Sequence, residues 1–100
     1  MPSSKDEIKT AITTLANREG SGYKNWYVGV TTNVSQRLFQ EHQVPETTRW
    51  WIHREAFSLE LARTVEQQLV DMGFDSAPGG GDKASKFVYA YKKVPGVTKP

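Results

Sequence analysis

The sequence predicts an α+β domain, a small and mainly antiparallel three-stranded sheet flanked by helices in the order α-β-α-β-α-β. Three observations predict it. Apolar residues recur at helical spacing over 8–16 and 62–72; residues 23–31, 50–57 and 87–92 have the β-branched and aromatic character of strands; glycine, proline or a cap residue stands at most junctions. A chain of 100 residues has room for one such core, so a single domain is expected over 1–93, with a flexible Pro/Gly-rich tail over 94–100.

Each element has a local reason. Ser4-Lys5-Asp6-Glu7 is a capping box, and Ile8, Ala11, Ile12, Leu15 and Ala16 form the inner stripe of a first helix that should run to about Asn17, where Gly20-Ser21-Gly22 follows. In 23–31, Trp26, Val28 and Val30 point one way, and Tyr23, Tyr27 and Gly29 the other. The aliphatic face belongs on the core, which leaves the tyrosine face free for a site. Asn33, with Gln36 three residues later, caps a second helix anchored by Val34, Leu38 and Phe39 and closed by Val44-Pro45-Glu46. The strand at 50–57 has mixed faces. Ser58 opens a third helix with the stripe Ala62, Val65, Leu69 and Met72, and Gly73 stops it; beyond Pro78-Gly79-Gly80-Gly81 lies the strand 87–92.

Composition excludes several chemistries. The chain has no cysteine, hence no disulfide scaffold, thiolate metal site or cysteine nucleophile. The polar, acidic start is unlike a signal peptide, and no apolar run approaches the ~20 residues that span a bilayer, so a soluble, cytoplasmic protein with no membrane partner is expected. A formal charge of +2 demands no nucleic acid, but from Lys83 onward Lys83, Lys86, Lys92, Lys93 and Lys99 occur without an acid. That strip suits either phosphates or a solvated final strand. Pro78-Gly79-Gly80-Gly81-Asp82 lacks the lysine-hydroxyl pair of a P-loop and reads as a linker; His53 and Glu55 alternate on one strand face without a second histidine for zinc and read as structural or rim residues.

Four side chains could carry phosphodiester chemistry. Tyr27 is a general base only if a neighbour draws its proton away, since a free phenol ionises near pH ~10; otherwise it is a cross-strand packing residue. Arg37 lies one turn into the capped helix, where a guanidinium can clamp a phosphate, or can simply pair with Glu41 at i,i+4. His42 can relay a proton or satisfy helix-end carbonyls. Glu66 sits beside Val65 on the shoulder of the third helix's stripe, placed either to bind a hard cation or to pair with Arg63.

In order and approximate spacing, Trp26-Tyr27-Val28-Gly29, Thr31-Thr32-Asn33, Arg37, Leu38, His42 and Glu66 resemble the second half of the GIY-YIG nuclease signature, over roughly 26–69. That resemblance implies a three-stranded antiparallel sheet with surrounding helices and a DNA endonuclease using one Mg²⁺ or Mn²⁺. Tyr27 would take a proton from the attacking water, Arg37 would stabilise charge on the scissile phosphate, Glu66 would hold the metal and His42 would be an auxiliary proton acceptor. The Gly-Ile-Tyr strand that precedes this motif in the family is missing, with Tyr23 as the available substitute; His42 stands one position later than the commonest placement, which Glu41 occupies, and no asparagine follows Glu66 near the last strand, where the family often has one. DNA contacts are expected from Arg37, Lys83, Lys86 and Lys92, with specificity supplied by a homodimer or a larger partner protein. The alternative is an inactive module of the same fold that binds nucleic acid or protein, with Tyr23, Trp50 and Trp51 stacking on bases.

Overall fold

In the computed structural model, which describes residues 2–20, 22–45, 47–48, 50–76 and 86–98, helix α1 (Lys5–Glu19) begins at its capping box. The Ser4 N–H donates to Glu7 Oε1 at 2.8 Å, and the Glu7 N–H donates to Ser4 Oγ at 3.2 Å. The helix outlasts the expected Asn17 because only Gly20, at φ 74°, adopts the left-handed turn that ends it. Helix α2 (Leu59–Asp71) is capped by Ser58 Oγ, which accepts from the Leu61 N–H at 3.1 Å, and Gly73 at φ 119° turns the chain beyond it.

Three strands form one antiparallel sheet: β1 (Trp26–Thr31), β2 (Trp51–Glu55) and β3 (Phe87–Lys92) in the order β1-β3-β2. The last strand in sequence is thus the middle one in space. Register and alternation sort the faces. Val28, Ala90 and Ile52 line up across one face, which α1 and α2 cover with Ile8, Ile12, Ala62, Val65 and Leu69. On the other face Tyr27, Tyr91 and Trp51 form one row and Gly29, Tyr89 and His53 the next. This settles the mixed second strand: Ile52 belongs to the helix side, Trp51 and His53 to the tyrosine side.

The tyrosine face is not free. Residues 34–44 lie over it and insert Leu38 and Val44 beside Tyr27, Tyr89 and Tyr91, which makes a second, smaller core. Three large rings on a strand face would otherwise leave a wide apolar surface in water. The covering segment is a π-helical turn (Gln36–Glu41) and not the expected ordinary helix. Other expectations also change. Residues 23–25 form a 3₁₀ turn, so β1 starts at Trp26; β2 is shorter than 50–57; Met72 is 43% exposed, off the α2 stripe. The expected tail begins with a hydrogen-bonded turn, Val97 and Thr98 both donating to the Val94 carbonyl. Pro78-Gly79-Gly80-Gly81-Asp82 and Lys83 lie outside the described residues. Among the described residues, no helix is long and apolar enough to cross a membrane.

Candidate functional site

The site is built around His42, which the π turn delivers. Its N–H donates to the Arg37 carbonyl five residues back, at 2.9 Å. In an α-helix Glu41 would follow Arg37 on the same face; one extra residue per turn brings His42 inward instead. Gln43, at φ 56°, then reverses the chain so that Val44 can enter the core.

His42 is 4% exposed and both ring nitrogens are engaged: Nε2 lies 3.0 Å from the Tyr89 hydroxyl and Nδ1 3.0 Å from the Tyr91 hydroxyl. A neutral imidazole has one N–H and one lone pair, so one phenol donates to the ring and the other accepts from it. Tyr27 packs on the same group, its ring 4.9 Å from His42 and 5.2 Å from Tyr91. Gly29 makes room for Tyr89. A methyl group there would sit 2.7 Å from Tyr89 Cε1 and closer still to the hydroxyl. The glycine thus serves close approach of a neighbouring ring, as its place within a strand suggests.

Burial pushes the Tyr89 phenol up to about 12, with Arg37 opposing the shift and Tyr27 and Glu66 adding to it. Tyr91 is raised as well, by burial first and then by Tyr27 and Tyr89. Both phenols are therefore neutral at pH 7. Arg37 lies at the rim of the cluster: its Nη1 pairs with Glu41 Oε1 at 2.9 Å, and its charge acts on Tyr89. Partial burial works against its charge, but Tyr89 and Glu41 outweigh that and hold the guanidinium above its usual value. Asn33 Oδ1 accepts from the Gln36 N–H at 3.1 Å, which fixes the start of this turn.

Glu66, on α2, reaches the outer edge of β1 through Ser76. The strand is flanked there by Asp75, which accepts from the Val28 N–H at 2.9 Å and donates to the Trp26 carbonyl at 2.8 Å. Ser76 Oγ donates to Glu66 Oε2 at 3.1 Å, in a cleft of about 160 Å³ lined by Glu66, Gln67, Val70 and Ser76. Burial raises the Glu66 carboxyl above its usual range, against Ser76 and Arg63, which lower it. A half-buried carboxylate held up in this way gains from a cation. Among the described residues no group of three or more His, Cys, Asp or Glu gathers anywhere. One hard oxygen donor fits Mg²⁺ or Mn²⁺ held otherwise by water and substrate phosphate.

The sequence-predicted residues thus separate. Tyr27 and His42 come together with Arg37 at their rim, whereas Glu66 belongs to α2, the helix that covers the opposite face of the sheet, and meets Ser76 there at the edge of β1. Tyr23 does not join them. The Gly22 turn carries it to the helix side, where its ring stacks on Phe74 at 4.9 Å. Lys86 pairs with Glu55 at 3.1 Å, and Lys92 lies over the Trp50 ring at the end of β3. Lys83 is outside the described residues. Tyr89 and Tyr91 were missed by sequence reasoning, although their alternation in Phe87-Val88-Tyr89-Ala90-Tyr91 marks a tyrosine face like that of Tyr27. No protein-family model, curated protein or solved structure matches the chain.

Proposed function

We propose that this chain is a metal-dependent endonuclease of the GIY-YIG type that hydrolyses DNA phosphodiester bonds, with its tyrosine pair assembled from β1 and β3. The observation that carries the reading is the meeting of Tyr27, Tyr89, His42 and Arg37 at one point of the sheet. The second tyrosine, which Tyr23 does not supply because it lies on the helix side, is offered by the central strand.

The phosphate enters by taking Arg37 from Glu41, an exposed partner that holds it weakly. Moving the guanidinium onto the scissile phosphate gives a bidentate clamp for the charge that develops there. A water attacking phosphorus passes its proton to the Tyr89 oxygen while the Tyr89 proton moves to His42 Nε2. In the tautomer this requires, Nδ1–H donates to Tyr91. A neutral, raised phenol cannot act alone as the base; wired to an imidazole it can. Glu66 would hold the divalent cation, whose chemistry is stabilisation of the departing oxygen.

The test is cleavage of plasmid and of branched, flapped and single-stranded DNA in Mg²⁺ or Mn²⁺. Tyr89→Phe and Glu66→Ala are each expected to lower the rate by about 10²-fold or more. Activity unchanged by Tyr89→Phe would sink the relay, and activity unchanged by Glu66→Ala the metal role. A second reading is a binding module without turnover. It is favoured by the complete burial of Tyr89, and DNA binding without product is its signature.

A further inference from the structure

Beside the tyrosine cluster the same sheet face carries a second set of rings. Trp51 and His53 alternate on β2 with ring planes 3° apart and centroids 6.0 Å apart, and Phe39 meets Trp51 edge-on at 5.0 Å. With Phe87 and Asn33 they line a cavity of about 300 Å³. Phe39 and Trp51 pack against the second core without being buried in it: Trp51, Phe39 and Phe87 are half-buried and His53 is exposed.

We propose that this cavity is a nucleobase subsite, which makes the substrate single-stranded or locally unpaired nucleic acid; the proposal rests on the nuclease reading for the phosphate beside it. Three features select a nucleobase. The Trp51 and His53 ring planes are parallel, so a base stacked on either ring continues the same stack, and every base has a π-face that stacks in this way without sequence preference. The volume lies at the lower end of small-ligand clefts, enough for one ring system and too little for a base pair with its backbones. The position is set by register: His53 is the cross-strand neighbour of Tyr89, on a strand ~4.8 Å away. That step suits the reach from a phosphate held by Arg37, through its sugar, to its own base. Asn33 and Thr32 add hydrogen-bonding groups at the rim. His53, held below its ordinary range by burial and by Arg54, stays neutral at pH 7.

The experiment uses the full chain, a short single-stranded oligonucleotide with one 2-aminopurine, the same oligonucleotide with an abasic site at that position, and a blunt duplex of equal length. Binding is measured without divalent metal by 2-aminopurine quenching and by anisotropy. The single strand is expected to bind more tightly than the duplex, with quenching. Trp51→Ala and the abasic site should each weaken binding about tenfold and together no more than either alone, while Trp51→Phe restores most of the affinity. His53→Ala, at an exposed position, should weaken binding in the same direction and guards against misfolding of the Trp51 variant. Equal affinity for intact and abasic strands, or a Trp51→Ala loss that persists with the abasic strand, overturns the subsite. Cleavage in Mg²⁺ that ignores the abasic site would leave the nuclease reading standing without it. Base-dependent binding with no cleavage would do the reverse, and no binding to any of the three probes removes both.

Discussion

At the residue scale, the closest fit in the site is Tyr89 over Gly29. The glycine has no need of an unusual backbone angle; what it supplies is space, because the Tyr89 hydroxyl occupies the volume a Cβ would fill. Tyr89 is fully buried, so its ring has no free side to swing toward. Gly29→Ala must therefore push the phenol away from His42. The expected outcome is a loss of about 1–3 kcal/mol in stability from overpacking. Cleavage should fall by as much as in Tyr89→Phe, measured at a temperature where the variant is still folded. If Gly29→Ala cleaves normally, the Tyr89–His42 contact has no part in turnover.

At the scale of elements, the covering segment 34–44 does what neither strand nor helix alone could. A π turn costs helical regularity, yet it sets Leu38 and His42 into one buried surface while Arg37 and Glu41 remain at the rim. Its exit places Gln43 at φ 56°, a left-handed conformation in which a side chain is disfavoured. Gln43→Gly should relieve this and stabilise the protein by about 0.5 kcal/mol, raising Tm by about 2–4 °C. A drop in Tm would mean that the Gln43 side chain holds the segment down. Cleavage should be unchanged, since Gln43 is exposed and turns away from the cluster beneath it.

At the scale of the molecule, the site depends on strand order. Placing β3 between β1 and β2 puts Tyr89 beside Gly29 on one side and His53 on the other, and α2 brings Glu66 to the outer edge of β1. Burial at that edge has a thermodynamic signature. The Glu66 carboxyl is raised in the folded protein, so the fold retains a proton that the unfolded chain has released. Stability from this group is therefore fully present below the unfolded value near 4.5 and falls as pH rises from there through the raised folded value. Glu66→Gln should flatten that fall: the variant melts higher than the wild type at pH 7 but not at pH 4, while losing metal-dependent cleavage. Melting curves at the two pH values check it, and an equal difference at both would show that burial does not disfavour the carboxylate. Mg²⁺ should raise the wild-type Tm at pH 7 and leave that of Glu66→Gln unchanged.

The sequence by itself determined what short-range chemistry controls. Ser4 with Glu7, Ser58, and Gly20 and Gly73 start and stop the two long helices through local hydrogen bonds and backbone angles, and the alternation of Trp26, Val28 and Val30 against Tyr27 and Gly29 sorts the faces of β1. Tyr27, Arg37 and His42 were legible as neighbours because one turn joins them. What only the tertiary structure decided involves residues far apart along the chain: Tyr89 lies 47 residues from His42, and Tyr91 lies 49. Their pairing follows from which strand takes the centre of the sheet, and no local propensity encodes that. Tyr23 went the other way. Its residue type and spacing fit the tyrosine face, but the positive φ of Gly22 starts a turn that strand alternation cannot foresee, and the packing of Phe74 then holds its ring on the helix side.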